Sequence, residues 1–325
     1  MNMKKIIAIA AAAIMAAGVC IGLPTGTENT PALAITAEAA DSDFVIKTDD
    51  DGDKYVAGYK GKGGDVVIPD GIVWIGEKAF FGNDKITSVT IPKSCYNFIS
   101  SYAFAQCINL KKVVIEGDIG IGKGAFECCI NLESVTVKGS IHDAIYSRAF
   151  YRCEKLKTMK IKGNEYDFAI GRSAFEDCFS LTSINIPSKC TEIYGGAFLN
   201  CFNLTKLTIP AKTKINSGND GKYHFGYVSV EGEVGQFIFV ADGKKFGYIR
   251  RLYSKKEADK KGITYTAVKG SDILVQGTLD EIDPPKQLTL TVTKGSSAEK
   301  WAKENGVKYV YAGSSSSKKK AASSK

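Results

Sequence analysis

A repeat of 22 to 25 residues fills residues 66–210 and constrains the fold more than any other feature of the chain. The dipeptide Ala-Phe recurs six times, and an isoleucine stands four residues before each alanine. The positions that follow are equally regular and give the consensus I-x3-A-F-x2-C-x2-L-x2-V-x-I. The six phenylalanines are Phe80, Phe104, Phe126, Phe150, Phe175 and Phe198.

This period predicts a solenoid, because one coil of such length cannot bury its own apolar side chains whereas stacked coils share a continuous core. The β-branched L-x2-V-x-I segment predicts a short strand, and equivalent strands would stack in parallel. The A-F-x2-C segment is expected to form a short helical turn on the opposite side, with its phenylalanine in the core. The predicted fold class is a solenoid of short parallel strands plus short helical turns, an α/β repeat, closed by a β-rich C-terminal capping region.

The repeats, with Ala-Phe and Cys at fixed positions, resemble the BspA-type leucine-rich repeat family. The segments Tyr55–Gly61 and Val66–Pro69 resemble the opening of that family, and Gly295–Gly306 resembles its common closing segment. The chain departs from the pattern at Asn83, which replaces the first cysteine, and over residues 211–287. The resemblance implies a secreted or surface-displayed protein that acts in adhesion to host proteins or other cells, without naming a ligand.

The first 39 residues have the form of an export signal peptide. Lys4 and Lys5 precede an apolar run from Ile6 to Ile21, and Ala37-Glu38-Ala39 fits a cleavage site with small residues at both ends. An uncleaved membrane anchor is the alternative. No apolar run after the first 25 residues is long enough to span a bilayer. We therefore predict an extracellular protein, secreted or associated with the cell surface, with no transmembrane span in the mature chain.

The rest of the chain is predicted to contain four regions. Residues 40–65 form an N-terminal hairpin, and residues 66–210 form the six-copy leucine-rich repeat solenoid. Residues 211–313 form the β-rich capping region with two short helices, because an open solenoid end would expose core and strand edges. A second ligand-binding module is the alternative for this region. Residues 314–325 form a disordered basic tail rich in Ser, Lys and Ala.

The excess of positive charge lies in the last third of the chain. Residues 211–325 contain 21 Lys and Arg against 12 Asp and Glu. The tail after residue 313 contains three consecutive lysines and Lys325. This charge predicts either attraction to an anionic cell wall or a merely solubilising end, and the sequence leaves both open. Nucleic acid is not an expected partner, because the protein is predicted to be exported and carries no nucleic-acid-binding motif.

Five aligned cysteines invite a metal or disulfide interpretation, which their spacing disfavours. They recur at the repeat period instead of in C-x2-C pairs, and an odd number cannot all pair. We predict a buried ladder of thiols, with Cys128 beside it exposed. The ladder consists of Cys107, Cys129, Cys153, Cys178 and Cys201.

Other candidate sites are weak, and we predict no cofactor and no metal. The acidic segment Asp49–Asp53 misses the calcium-loop spacing, and Lys60 stands where that loop needs a glutamate, so a hairpin turn at Asp51-Gly52 is favoured. His142 has no obvious partner in the sequence. His224 lies among aromatic residues that are expected to pack. No nucleophile, phosphate-binding or His-Glu metal motif is present.

The strand pattern predicts a ligand-binding face, because the residues that flank each inward Val of L-x2-V-x-I point outward. This predicted face consists of Ser88, Thr90, Lys112, Ser134, Thr136, Thr158, Lys160, Ser183, Asn185, Lys206 and Thr208. The first hypothesis is a non-catalytic interaction protein that uses this face to bind an extracellular protein or glycan. The second is a structural protein that binds cell wall or polysaccharide. The third is a secreted enzyme with its site in residues 211–292.

Overall fold

The computed structural model describes residues 43–201, 203–216 and 288–313, with the short segments 225–226, 239–242, 245–248, 259–260, 265–267, 274–276 and 280–281. Within these residues the chain forms a parallel β-solenoid of about eight turns with little helix. The solenoid predicted from the repeat is confirmed. None of the helices in this part of the chain has the length and apolar character needed to cross a membrane.

Short strands make up almost all of the regular structure. The strands are β1 Phe44–Thr48, β2 Lys54–Tyr59, β3 Gly64–Val67, β4 Trp74–Ile75, β5 Ile86–Ile91, β6 Phe98–Ile99, β7 Lys112–Ile115, β8 Ile119–Ile121, β9 Ser134–Val137, β10 Ile141–Ile145, β11 Thr158–Ile161, β12 Phe168–Ile170, β13 Ser183–Ile184, β14 Cys190–Tyr194, β15 Phe198–Leu199, β16 Lys206–Thr208, β17 Lys214–Asn216, β18 Phe225–Gly226, β19 Phe239–Asp242, β20 Lys245–Tyr248, β21 Tyr265–Ala267, β22 Leu274–Gln276, β23 Asp280–Glu281, β24 Thr289–Val292 and β25 Tyr309–Tyr311. The helix α1 spans Ser297–Glu304.

Two sheets run along the solenoid, because each coil contributes one strand to each of them. The six-stranded sheet has the order β3-β5-β7-β9-β11-β13 and holds the L-x2-V-x-I segments. The nine-stranded sheet has the order β1-β2-β4-β6-β8-β10-β12-β14-β17 and holds the segments that end at the repeat isoleucine. Val89, Val113 and Val135 are aligned in register across neighbouring strands, so equivalent residues of the repeat superpose. The core lies between the sheets.

The A-F-x2-C segments are tight turns instead of the short helical turns that the sequence suggested. Two residues per coil, one before Ala and one two places after Phe, have positive φ, as at Arg148 (59°) and Arg152 (58°). This conformation directs the Phe amides to the next coil, as in Phe126 N–H to the Ala149 carbonyl at 2.8 Å. The amides between them bond within the turn to the carbonyl three residues earlier, as in Cys129 N–H to the Phe126 carbonyl at 3.2 Å, so bonds within the turn alternate with bonds between coils.

The repeat phenylalanines form a continuous column of rings in the core. Phe104, Phe126, Phe150, Phe175 and Phe198 stack with 5.2 Å between successive ring centroids and interplanar angles of 1 to 9°. Phe80 continues the column at 4.5 Å from Phe104, and Tyr59 of the N-terminal hairpin stacks on Phe80 at 5.2 Å. The hairpin therefore covers one end of the core with an aromatic ring.

The C-terminal segment covers the other end by adding strands to the solenoid. Strand β24 pairs in parallel with β16, the strand of the last repeat copy, and β25 pairs in parallel with β24. Helix α1 begins at its cap Ser296, whose hydroxyl accepts from the Glu299 amide at 3.2 Å. It is followed by Gly306, with φ of 65°. The Ser297 hydroxyl donates to the Thr213 carbonyl at 2.6 Å and ties the helix to the solenoid.

Several sequence-based expectations lie outside the described residues. They are the signal peptide at residues 1–39, His224, the basic tail at residues 314–325 and most of the first short helix of the capping region, in which only Asp259 and Lys260 are described as helical. Within the described segments of the capping region, strand β19 pairs in antiparallel orientation with β20, and β21 pairs in the same way with β22.

Candidate functional site

The predicted binding face lies on the six-stranded sheet, and its polar side chains form two rows across the coils. One row joins Ser88, Lys112, Ser134, Thr158 and Ser183 through in-register pairing of successive strands. The second row contains Thr90, Thr136 and Lys160. Lys206 and Thr208 lie in β16, which belongs to the separate sheet of β16, β24 and β25. The structure thus gathers most of the predicted residues on one surface.

Two of these side chains are already used inside the solenoid. The Ser88 hydroxyl donates to Asp65 Oδ1 at 2.7 Å. The side-chain amide of Asn185 donates through Nδ2 to the Ile161 carbonyl at 2.6 Å and accepts through Oδ1 from the Ile161 backbone N–H at 2.9 Å. These two bonds are the ones that the backbone of a neighbouring strand would otherwise make. Lys112 and Lys160 are exposed and form no ion pair within the described part of the chain. These two lysines are therefore the strongest contact candidates on this face.

The cysteine ladder has a structural role that the sequence only partly indicated. Each thiol donates to the carbonyl of a repeat phenylalanine in an earlier coil, as in Cys107 to Phe80 at 3.0 Å and Cys153 to Phe126 at 3.2 Å. Burial raises the pKa of the Cys153 thiol well above its ordinary value. Outside the ladder, burial raises the pKa of Cys95 to about 12. The thiols therefore remain protonated donors and are poorly suited to bind metal or attack a substrate. The same contact is made by Cys129, Cys178 and Cys201.

Cys128 is a correction, because it is buried with 1% of its surface accessible and not exposed as expected. It lies two residues after Phe126, at the second positive-φ position of its turn (φ of 59°), and its side chain is buried in the solenoid. All eight cysteines of the described residues are buried and none forms a disulfide.

We expect the native protein to resist thiol-modifying reagents. A thiolate is the reactive form, and burial both blocks access and raises the pKa of these cysteines. With Ellman's reagent at pH 8, at most one thiol of the full chain, Cys20, should react before unfolding, and all nine should react in denaturant. Rapid reaction of two or more thiols in the folded protein would contradict the buried ladder.

The acidic segment of the N-terminal hairpin forms a turn. Asp49 Oδ1 accepts from the amides of Asp51 at 3.1 Å and Asp53 at 2.9 Å, and Gly52 has φ of 88°. This arrangement is a side-chain-stabilised turn between β1 and β2. In the described part of the chain, no group of three or more His, Cys, Asp or Glu residues is placed to hold a metal ion.

The structure also contains a groove that the sequence analysis missed. It has a volume of about 490 Å³ and lies where the hairpin loop meets the outer face of the nine-stranded sheet. Carboxylates of the loop line one side, aromatic rings line the walls, and serine and glycine residues lie among them. The lining residues are Asp49, Asp51, Asp53, Trp74, Asn97, Phe98, Ser100, Ser101, Gly122, Lys123 and Tyr146.

Aromatic side chains continue from this groove across the same sheet. His142, which had no obvious partner in the sequence, lies in β10, and its ring is nearly perpendicular to that of Phe98, with 5.4 Å between the centroids. Its Nε2 is 3.0 Å from the Tyr96 carbonyl oxygen. The signal that could have located this cluster is the aromatic residue directly before the repeat isoleucine, as in Trp74-Ile75 and Phe98-Ile99.

A buried polar cluster lies among the turns, and the sequence did not indicate it. Asp177 is 1% exposed, and its Oδ1 accepts from Asn200 Nδ2 at 2.8 Å. Arg152 and Glu154, both buried, are 3.5 Å apart between Nη2 and Oε1. Burial, with a smaller contribution from nearby Glu176, raises the pKa of Asp177 to about 7. We therefore expect the stability of the turns to depend on pH.

Comparison with known proteins supports the repeat assignment. The family model of the BspA type leucine rich repeat region, in six copies, matches residues 59–169 and 143–223. Curated proteins show no match. Among solved structures, the chain is similar to a leucine rich cell surface protein from Faecalibacterium prausnitzii, with 21% identity, 78% of this chain and 70% of that chain covered, and a TM-score of 0.47. It is also similar to a leucine rich repeat protein of T. pallidum, with 26% identity, 58% and 90% covered, and a TM-score of 0.47.

Proposed function

Because the chain belongs to the BspA-type leucine-rich repeat family, whose model matches about half of its length, we propose that it is an exported, non-catalytic recognition protein. It binds an extracellular protein or glycan through the face of the six-stranded sheet. The observation that carries this proposal is the in-register row from Ser88 to Ser183 across five strands. Solenoids provide extended surfaces of this kind for partners.

The chemistry of the face favours a weak and extended contact. Hydroxyl side chains dominate, and Lys112 and Lys160 supply positive charge at two coils. The face lacks the Trp and Tyr anchors that carry most of the energy in tight protein interfaces. A partner with acidic or hydroxyl groups repeated along its surface therefore suits this face better than a single protruding side chain.

The test is binding of the purified protein to a panel of extracellular matrix proteins, soluble glycans and isolated cell walls, at low and high salt. Lys112→Glu combined with Lys160→Glu should lower affinity for the bound panel member by about tenfold, since charge complementarity steers and strengthens such contacts. The matched control is Lys62→Glu combined with Lys93→Glu, which makes the same charge change at exposed lysines outside the face. Equal binding by both double variants, with unchanged melting, would contradict the proposal.

Binding of isolated cell walls through the basic tail is a second candidate, favoured by the charge excess of residues 211–325. This binding should be lost in high salt, because screening weakens long-range attraction. It should also be lost when residues 314–325 are removed, and it should not respond to substitution of Lys112 and Lys160. The two candidates are therefore separated by the same binding assay.

A further inference from the structure

The groove on the nine-stranded sheet has the volume of a small-ligand site, and it is open to solvent along its length. Its volume of about 490 Å³ falls within the range of about 300–1,000 Å³ that is typical of such sites. It lies on a different sheet from the proposed binding face, so the two surfaces can be tested independently. Its walls also differ in chemistry, because the six-stranded face carries hydroxyls and lysines whereas the groove carries aromatic rings.

The aromatic walls are held in place by their neighbours. Trp74 stacks on Tyr55 with 4.7 Å between ring centroids and an interplanar angle of 7°. The Phe98 ring lies against Gly120, where an added Cβ would clash with the ring. Tyr146 lies 6.2 Å from Phe98 and is tilted by 55°. These rings form a preorganised apolar surface, which lowers the cost of ordering side chains on binding.

The polar groups of the groove include both hydrogen-bond acceptors and donors. Asp51 and Asp53 contribute carboxylate oxygens on the loop side. Lys123 contributes an ammonium, Asn97 an amide, and Ser100 a hydroxyl. Three carboxylates against one lysine in the lining disfavour an anionic ligand. The Asp49 carboxylate already accepts from two loop amides, which leaves two carboxylates and one ammonium for a ligand. A neutral ligand with many hydroxyls matches this mixture, because each hydroxyl can donate and accept.

We propose that this groove binds a short β-1,4-linked oligosaccharide of gluco configuration. Sugar rings of this type carry their hydroxyls at the edge and leave two flat faces of C–H groups. Those faces pack on Trp74 and Phe98, while the edge hydroxyls bond to Asp51 and Lys123. The site is additional to the six-stranded face, and it does not require that face to bind anything.

The probes are cellohexaose and chitohexaose, titrated into the purified protein by calorimetry and by tryptophan fluorescence. The chain has two tryptophans, Trp74 in the groove and Trp301 in α1, of which Trp301 is 5% exposed. A saturable change in emission therefore reports on the groove. We expect at least one hexasaccharide to bind, and Trp74→Ala to lower its affinity by about tenfold or more.

Matched variants separate the groove from general effects on the fold. Asp51→Asn should weaken binding, whereas Asp50→Asn, its exposed neighbour outside the groove, should not. Tyr194→Ala removes an exposed ring from the same sheet, in β14 outside the groove, and should bind like the wild type. Melting curves of all variants establish that each is folded.

Two outcomes would overturn the proposal. One is that neither hexasaccharide binds the folded protein. If a synthetic peptide of residues 314–325, which is rich in lysine, changes the Trp74 emission in that case, the groove is a cation site. The other is binding that is unchanged in both Trp74→Ala and Asp51→Asn. Neither outcome bears on the six-stranded face, which is tested with Lys112 and Lys160.

Discussion

Phe150→Ala is expected to lower the free energy of unfolding by about 3–5 kcal/mol, the usual cost of truncating a buried phenylalanine. Phe150 has no accessible surface and stacks between Phe126 and Phe175, at 5.2 Å from each. Its removal leaves a cavity in the middle of the ring column, where the coils above and below are fixed by their own hydrogen bonds. The loss is measured by chemical denaturation and thermal melting.

The consequences should extend beyond the substituted coil, because each coil of a solenoid is stabilised by its two neighbours. Hydrogen exchange should therefore speed up in the strands of that coil and of the coils on both sides. The control is Phe81→Ala, since Phe81 is 46% exposed and its truncation should change stability by less than about 0.5 kcal/mol. Equal melting of the two variants would contradict the stacking of Phe150 in the core.

The fold could be predicted because the same offsets recur in six copies. Each copy places apolar side chains at its repeat positions in the same environment, and the only polar exception is Asn83 at the cysteine position of the first copy, so one pattern specifies the whole core. The turns could not be predicted, because A-F-x2-C has the spacing of a helical turn while every second amide in it bonds to another coil. Phe126 N–H to the Ala149 carbonyl is an example. A local pattern carries no information about hydrogen bonds between coils.

The candidate sites show the same limit. The strand pattern predicts which side chains lie on the six-stranded face, since alternation follows from the pleat. It does not show that Asp65 accepts from Ser88, because Asp65 lies before the first copy of the repeat. The groove depends on residues that differ from coil to coil, such as Trp74 and Gly120. It also depends on the hairpin loop, whose position over the sheet follows from tertiary packing and not from the period.

Asp177 is expected to make stability depend on pH between about 4 and 7. Its pKa in the folded protein is about 7, raised by burial from an ordinary value of 3.8, so the folded state binds the proton more tightly than the unfolded state. Stability should therefore fall as the pH rises from 4 to 7 and then level off with respect to this group. A shift of this size corresponds to about 4 kcal/mol as an upper estimate.

Asp177→Asn is expected to raise the free energy of unfolding above pH 7 by a few kcal/mol and to remove the part of the pH dependence that Asp177 contributes, while Glu154, whose pKa burial also raises, keeps its own. The amide oxygen can still accept from Asn200, while the cost of a buried negative charge disappears. Denaturation at a series of pH values from 4 to 8 measures the effect. The control is Asp143→Asn, because Asp143 has a similar backbone, with φ of 59°, but is exposed to solvent.

The comparison of these two variants isolates burial as the cause. Both exchange a carboxylate for an amide at a residue with positive φ, so any effect of the backbone conformation is shared. The pKa of Asp177 is affected equally in the wild type and in the control by the neighbouring charges of Arg152, Glu154 and Glu176. If Asp177→Asn and the wild type lose stability equally between pH 4 and 7, the buried carboxyl is not the titrating group. A gain confined to Asp177→Asn would show that the carboxylate of Asp177 is a destabilising buried charge at neutral pH. In the next coil the equivalent turn position holds Asn200, whose side chain is an uncharged amide.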